Sequence, residues 1–193
     1  MGALGTTLSI GFLAAAISTV LGTVGAIALF QMKRRPRQAM LSIVNLPMLN
    51  SEVVTGVSLM LLYAMAHIQL GYVTLLLSHI AFCVPYVVLS VLPKLTQMNP
   101  NIYEAALDLG ATPMQAMRRV IIPEIRPGMI SGFILAFTLS IDDFAVTIFT
   151  NGTDGLETLS TFIYADARKG GLTPELRALS TIILVVVLLL LVE

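Results

Sequence analysis

Charge is what this chain has least of. Only 11% of its 193 residues are Asp, Glu, Lys or Arg, against roughly 25% in a soluble domain. With 56% apolar residues and a mean hydropathy of +0.90, that shortage excludes a water-soluble globule and specifies an integral membrane protein. Cysteine is nearly missing too: Cys83 is the single one. A disulfide framework is therefore excluded, and neither His67 nor His79 stands at a metal-ligand spacing from Cys83. The reading is a packed, inert thiol, two interfacial or packed histidines and no metal site. No basic stretch or small-residue cleavage site follows Met1, so a removed signal peptide is not expected. Nothing resembles a basic tail, an aromatic-interleaved patch or a zinc-finger spacing, which argues against nucleic acid.

Catalytic signatures are also missing. The residues before Lys33, Lys94 and Lys169 are Met, Pro and Arg, so no Gly-Lys-Ser/Thr phosphate loop exists. Neither His-Glu-x-x-His nor Gly-x-Ser-x-Gly occurs. An aspartyl intramembrane protease needs two separated aspartates facing each other, which the adjacent Asp142 and Asp143 do not supply. The chain is expected to be no enzyme and to hold no cofactor.

Long apolar runs fill the sequence instead. Leu4 to Gln31 is long enough to span a bilayer, which takes about 20 residues. Ala14, Ser18, Gly22 and Ala26 recur every fourth residue in it, a stripe that lets membrane helices approach closely. Lys33, Arg34, Arg35, Pro36 and Arg37 end this span on the cytoplasmic side. Ala39 to Ala66 returns, interrupted at Asn45-Leu46-Pro47 and at Asn50-Ser51-Glu52, so this span is expected to be discontinuous. Glu52 then lies either near mid-membrane or in the first turn of a span that starts at the surface. A short external turn over His67 to Leu70 leads to a third span, Gly71 to Leu92, with a kink at Pro85 and an end at Pro93-Lys94.

Residues from Lys94 to Pro123 form a second cytoplasmic segment. A fourth span from about Gly128 to Phe149 opens on the Gly128-x-x-x-Gly132 packing pattern. Asn151 to Pro174 is polar and external, its Asn151-Gly152-Thr153 sequon being read as chance, and Glu175 to Val192 returns inward. Eight of the eleven Lys and Arg fall on the assigned cytoplasmic side, at Lys33, Arg34, Arg35, Arg37, Lys94, Arg118, Arg119 and Arg126. The expectation is one all-α membrane domain over 1–193 with about five spans. Five spans put Met1 outside and Glu193 inside, which calls for an external N-terminus or an upstream helix.

Two stretches carry chemistry. In the second cytoplasmic segment, Asn101 with Glu104, and Thr112 with Pro113 and Gln115, read as helix caps, and Gly110 as the stop between two short helices. Ile102, Ala105, Ala106 and Leu109 make one small apolar face beside Glu104 and Asp108, too short for a core helix and suited to a partner. In the fourth span, Asp142 and Asp143 sit between Ile141 and Phe144. A carboxylate at that depth costs a few kcal/mol on insertion scales and needs a cavity, a partner or a task. Glu52, Asp142, Asp143 and Phe144 are the candidates for a route taken by a cationic or polar solute; a buried acid bonded to a neighbouring helix is the open alternative.

Glu104-Ala105-Ala106, three residues, Gly110, nine residues, then Val120, Ile122 and Pro123 resemble the Glu-Ala-Ala…Gly…Ile-x-Leu-Pro loop of the permease subunits of type I ABC importers. Val and Ile stand where Ile and Leu are usual. Leu139-Ser140-Ile141-Asp142-Asp143-Phe144, and Thr173-Pro174-Glu175 with Ala178-Leu179-Ser180-Thr181, resemble the spermidine/putrescine-type branch. The resemblance implies half of a pore in the lipid bilayer of a bacterial inner membrane. It also implies a second permease subunit, two ABC ATPase subunits holding ATP and Mg, and an external or periplasmic substrate-binding protein. Glu104, Ala105, Ala106, Asp108, Leu109, Gly110 and Pro123 would dock on the ATPase through a coupling loop over about 94–123. The rival is an ion- or proton-coupled secondary transporter or channel without an ATPase, whose intramembrane carboxylates would be ion sites.

Overall fold

The computed structural model describes residues 2–99, 101–152 and 157–168, together with 174, 177, 178, 180–182, 185 and 186. Helix α1, Ala3–Gln31, follows the first apolar run to within a residue. The basic stretch after it is not a loop: Arg34, Arg35, Pro36 and Arg37 start helix α2, Arg34–Leu49. A proline in the first turn gives up only an N–H that has no helical partner anyway. The same helix continues through Asn45-Leu46-Pro47 and breaks instead at Asn50-Ser51. There the Ser51 hydroxyl accepts a hydrogen bond from Val54 N at 3.3 Å and caps helix α3, Glu52–Met65.

Helix α4, Tyr72–Gln97, keeps both Pro85 and Pro93 inside it, so Pro93 is no terminator. Each proline removes one backbone donor, a loss that a helix packed on its neighbours tolerates. Short helices α5, Ile102–Asp108, and α6, Pro113–Ala116, come next. A single π turn, Met117–Ile121, then feeds directly into helix α7, Ile122–Asp142. Winding is thus unbroken from Pro113 to Asp142, where the sequence suggests a fresh start at Gly128. Helix α7 also ends early. Asp143 is extended, and a separate helix α8, Ala145–Thr150, follows. Helix α9, Leu159–Arg168, occupies part of the stretch expected to be polar and external. The expected fifth span, Glu175–Val192, falls largely outside the described residues.

Among the described residues three helices are long and apolar enough to cross a membrane: α1, α4 and the stretch Pro113–Asp142; α3 is apolar but shorter. The long three form the core. Ser18 Oγ donates to Ile80 O at 3.3 Å, and Gly22 faces Val84 and Val87, so α1 runs parallel to α4. Gly128 faces Lys94, Ser90 and Val91, and Gly132 faces Val87, so α7 runs antiparallel to both. The expected stripe is buried: Ala14, Ser18, Gly22 and Ala26 all face inward. A Cβ on Gly22 would sit 2.7 Å from the Val87 side chain. Cys83 is buried in this core, its Sγ 3.5 Å from Ala136 O, as expected of a packed thiol.

Gly128 is the least replaceable of these contacts, because a Cβ there would meet the Ser90 carbonyl oxygen at 2.9 Å, and backbone cannot move aside as a side-chain tip can. Gly128→Val is expected to cost about 1–3 kcal/mol of stability by overpacking. Thermal unfolding of the purified chain in detergent reads this. An unchanged midpoint would contradict the close approach.

Candidate functional site

The site grows out of two helix breaks. Helix α3 packs on α8 because Gly56 lets the two backbones meet: a Cβ there would lie 3.0 Å from Ala145 O and 3.1 Å from Val146 Cα. Glu52, one turn before Gly56, is thereby carried to the α7/α8 break, within electrostatic range of Asp143 and Asp142. Glu52 and Asp142 are both exposed, whereas Asp143 is 5% exposed. The three acidic candidates therefore lie within electrostatic range of one another, although Glu52 and Asp142 are 90 positions apart in sequence.

The sequence suggests that Asp142 and Asp143 lie inside one continuous helix running to Phe149. The break separates their roles. An Asp side chain can bond the backbone just after it, which competes with continued winding. Asp143 does so: its carboxylate accepts from Val146 N at 3.3 Å, Thr147 N at 2.9 Å and Thr147 Oγ1 at 3.0 Å. Two otherwise unpaired N–H groups at the start of α8 are satisfied by it. The Asp143 carbonyl in turn accepts from Ser160 Oγ of α9 at 2.8 Å. Phe144 packs its ring on Tyr164 of α9 at 4.7 Å, and the Arg168 guanidinium lies 6.0 Å from the same Tyr164 ring.

Two further residues join the site from α4. His79 is 2% exposed, with Nδ1 2.7 Å from Ser140 Oγ, Nε2 3.0 Å from Thr147 Oγ1 and 3.7 Å from Asp143 Oδ2. Tyr86 is half-buried within electrostatic range of Glu52 and packs on Phe82 at 5.4 Å. The sequence leaves His79 as an interfacial or packed residue, and nothing in the sequence marks Tyr86. Their partners come from α3, α7 and α8, and only the packing reveals them. Among the described residues no group of three His, Cys, Asp or Glu could hold a metal ion.

At the other end of α7 lies the second candidate surface. No residue of α5 is buried. The expected single apolar face is split: Ile102 and Ala106 are half-buried while Ala105 is exposed and Leu109 is 90% exposed. Glu104 and Asp108 are exposed as well. Gly110 has φ +85°, the left-handed stop expected after a helix, and its N donates to Leu107 O at 2.8 Å. The cap at Thr112 forms reciprocally: Gln115 N donates to Thr112 Oγ1 at 3.3 Å and Thr112 N to Gln115 Oε1 at 3.0 Å. The expected cap at Asn101 does not form; Asn101 N instead donates to Asn99 Oδ1 at 3.0 Å, a local turn that wins over the capping geometry. Pro123 falls in the first turn of α7. Between α5, α6 and the π turn lies a cleft of about 350 Å³ lined by Ala106, Leu109, Gly110, Gln115, Arg119 and Val120.

Residues 6–193 match the family described as binding-protein-dependent transport system inner membrane component. The spermidine/putrescine transport system permease protein PotC of Haemophilus influenzae is 38% identical over 186 residues, covering 96% of this chain and 72% of that protein. The putrescine transport system permease protein PotI of Escherichia coli is 38% identical over 191 residues, or 95% of this chain and 67% of that protein. Among solved structures, a chain of the MetNI methionine ABC transporter in inward-facing conformations superposes with a TM-score of 0.78 at 19% identity, over 97% of this chain and 89% of that one. A chain of a bacterial alginate ABC transporter superposes with a TM-score of 0.75 at 19% identity, over 98% and 75%. At such identities the structural likeness carries the fold alone. The sequence matches carry more, and by them the chain belongs to the binding-protein-dependent transport system inner membrane components, the permease subunits of ABC importers.

Proposed function

We propose that this permease forms half of a pathway for a small polyamine such as spermidine or putrescine. The carrying observation is that two exposed carboxylates, Glu52 and Asp142, lie within electrostatic range of each other at two helix breaks in the apolar part of the fold. Carboxylates are expensive in such surroundings unless a cation or water accompanies them, and interrupted helices are tolerated where they line a cavity. An extended ammonium chain matches both conditions, and the names of the relatives point the same way. Asp143 serves the route indirectly by capping α8, with Phe144 beside it tied to α9.

A second permease subunit completes the pore, and a substrate-binding protein delivers the solute from outside a bacterial inner membrane. The whole chain, 1–193, acts as one domain of about five spans. Glu104, Ala105, Ala106, Asp108, Leu109, Gly110 and Pro123 belong to the coupling segment, about 94–123, which docks an ATPase subunit holding ATP and Mg. Displacement of that segment rocks α4 and α7 and alternates access without any catalytic group in this chain.

The test is uptake of labelled putrescine into vesicles holding this chain with its partner permease, ATPase and binding protein. Uptake is expected to need ATP and to be competed by spermidine and not by a neutral sugar. Uptake driven by a proton gradient without ATP, or sugar competition, would overturn the reading.

A further inference from the structure

We infer that His79 is a positioning residue for transport: with Ser140 and Thr147 it locks the α7/α8 break, so that the backbone carrying the adjoining Asp142 is held in place. The inference rests on Asp142 lying on the pathway. Its geometry is independent of that reading. Ser140 is in the last turn of α7 and Thr147 in the first turn of α8, so one imidazole from α4 bridges both sides of the interruption, at 2.7 Å and 3.0 Å. One arrangement of protons satisfies every group. Nε2–H donates to Thr147 Oγ1, the Thr147 hydroxyl donates to Asp143 Oδ2 at 3.0 Å, and the Ser140 hydroxyl donates to the bare Nδ1.

Every member of this network is buried: His79, Ser140, Asp143 and Thr147 are each at most 5% exposed. Networks of this kind, when completely paired, rigidify what they join. Without the bridge, α7 and α8 would be linked by the extended Asp143 and by Phe144 alone. Asp142, the terminal residue of α7, would then sit on a frayed end. No hydrogen bond from another element to its carboxylate is present among the described residues to hold it otherwise.

A cycle of variants separates positioning from plain stability. Thr147→Val keeps the shape and removes the bridge's second hydrogen bond, and Ser140→Ala removes the first. Each is expected to lower ATP-driven putrescine uptake about tenfold in the native background and less than about twofold in an Asp142→Asn background. His79→Gln, which retains a donor and an acceptor, is expected to keep more uptake than His79→Phe. The amount of assembled complex and its ATP turnover are measured for every variant. Losses that multiply across the two backgrounds, or that follow the amount of assembled complex, overturn the positioning role. If Asp142→Asn alone transports normally, the pathway reading falls and the inference with it. If Asp142→Asn is impaired and the losses still multiply, only the inference falls.

Discussion

Asp142→Asn combined with Glu52→Gln is expected to reduce uptake of a diamine by about a hundredfold or more, while the complex assembles and hydrolyses ATP as before. Both side chains are exposed to the space beside the helix breaks, and both replacements preserve shape and hydrogen-bonding reach. What disappears is charge. A cation crossing there would lose its counter-charges in surroundings where an unaccompanied charge costs several kcal/mol. Each single replacement is expected to cost about tenfold, since the other carboxylate still offers a partner. Asp143→Asn behaves differently, because Asp143 holds the start of α8 through Val146 N and Thr147 N. Its loss is expected in the amount of assembled complex, at about 1 kcal/mol for a weakened cap. Vesicle uptake beside quantified assembly separates the three variants, and native rates from the Asp142/Glu52 double variant would exclude both carboxylates from the route.

Leu109→Asp is expected to release the ATPase subunit from this chain while leaving the chain itself folded. Leu109 is 90% exposed and α5 contains no buried residue, so the fold loses nothing by the change. An interface anchor of this kind contributes about 2 kcal/mol or more, which corresponds to roughly thirtyfold weaker association. Gly110→Val attacks the same surface by another route. Gly110 has φ +85° with nothing within 4 Å of a would-be Cβ, so the cost is conformational, about 1–2 kcal/mol for an L-residue in the left-handed region. Relief comes only by re-angling α5 against α6, which would misdirect the proposed docking face. Co-purification of the ATPase and the ratio of solute moved to ATP consumed read both variants. Native stoichiometry with native coupling in Leu109→Asp would remove this surface from the ATPase contact.

What sequence reasoning could see was set by neighbours in the chain. The apolar runs, the buried stripe from Ala14 to Ala26, the reciprocal cap at Thr112 and Gln115 and the left-handed Gly110 all depend on residues within a few positions of each other. What it misjudged depends on distant partners. Helix α2 passes Pro47 and stops at Asn50, because Ser51 caps the next helix and α3 then finds α8 through Gly56. Asp143 leaves the helix because partners from three other elements meet there: Val146 and Thr147 of α8, Ser160 of α9, and His79 of α4 at 3.7 Å. The two histidines look alike in sequence, each in or beside an apolar run. His67 sits in a turn with φ 53°, whereas His79 is clasped by Ser140 and Thr147, 61 and 68 positions away.

The π turn at Met117–Ile121 has a mechanical meaning. It joins α6 to α7 without a hinge, so Pro113 and Asp142 sit at opposite tips of one rod of 30 residues, about 45 Å long. Tilting such a rod by about ten degrees sweeps its far tip through about 8 Å, more than the width of an alkyl ammonium chain. The wide turn is also the one stretch of that rod where an extra residue is stored in the winding. Letting that residue out turns everything beyond it about 100° around the axis, the exposed Asp142 carboxylate included.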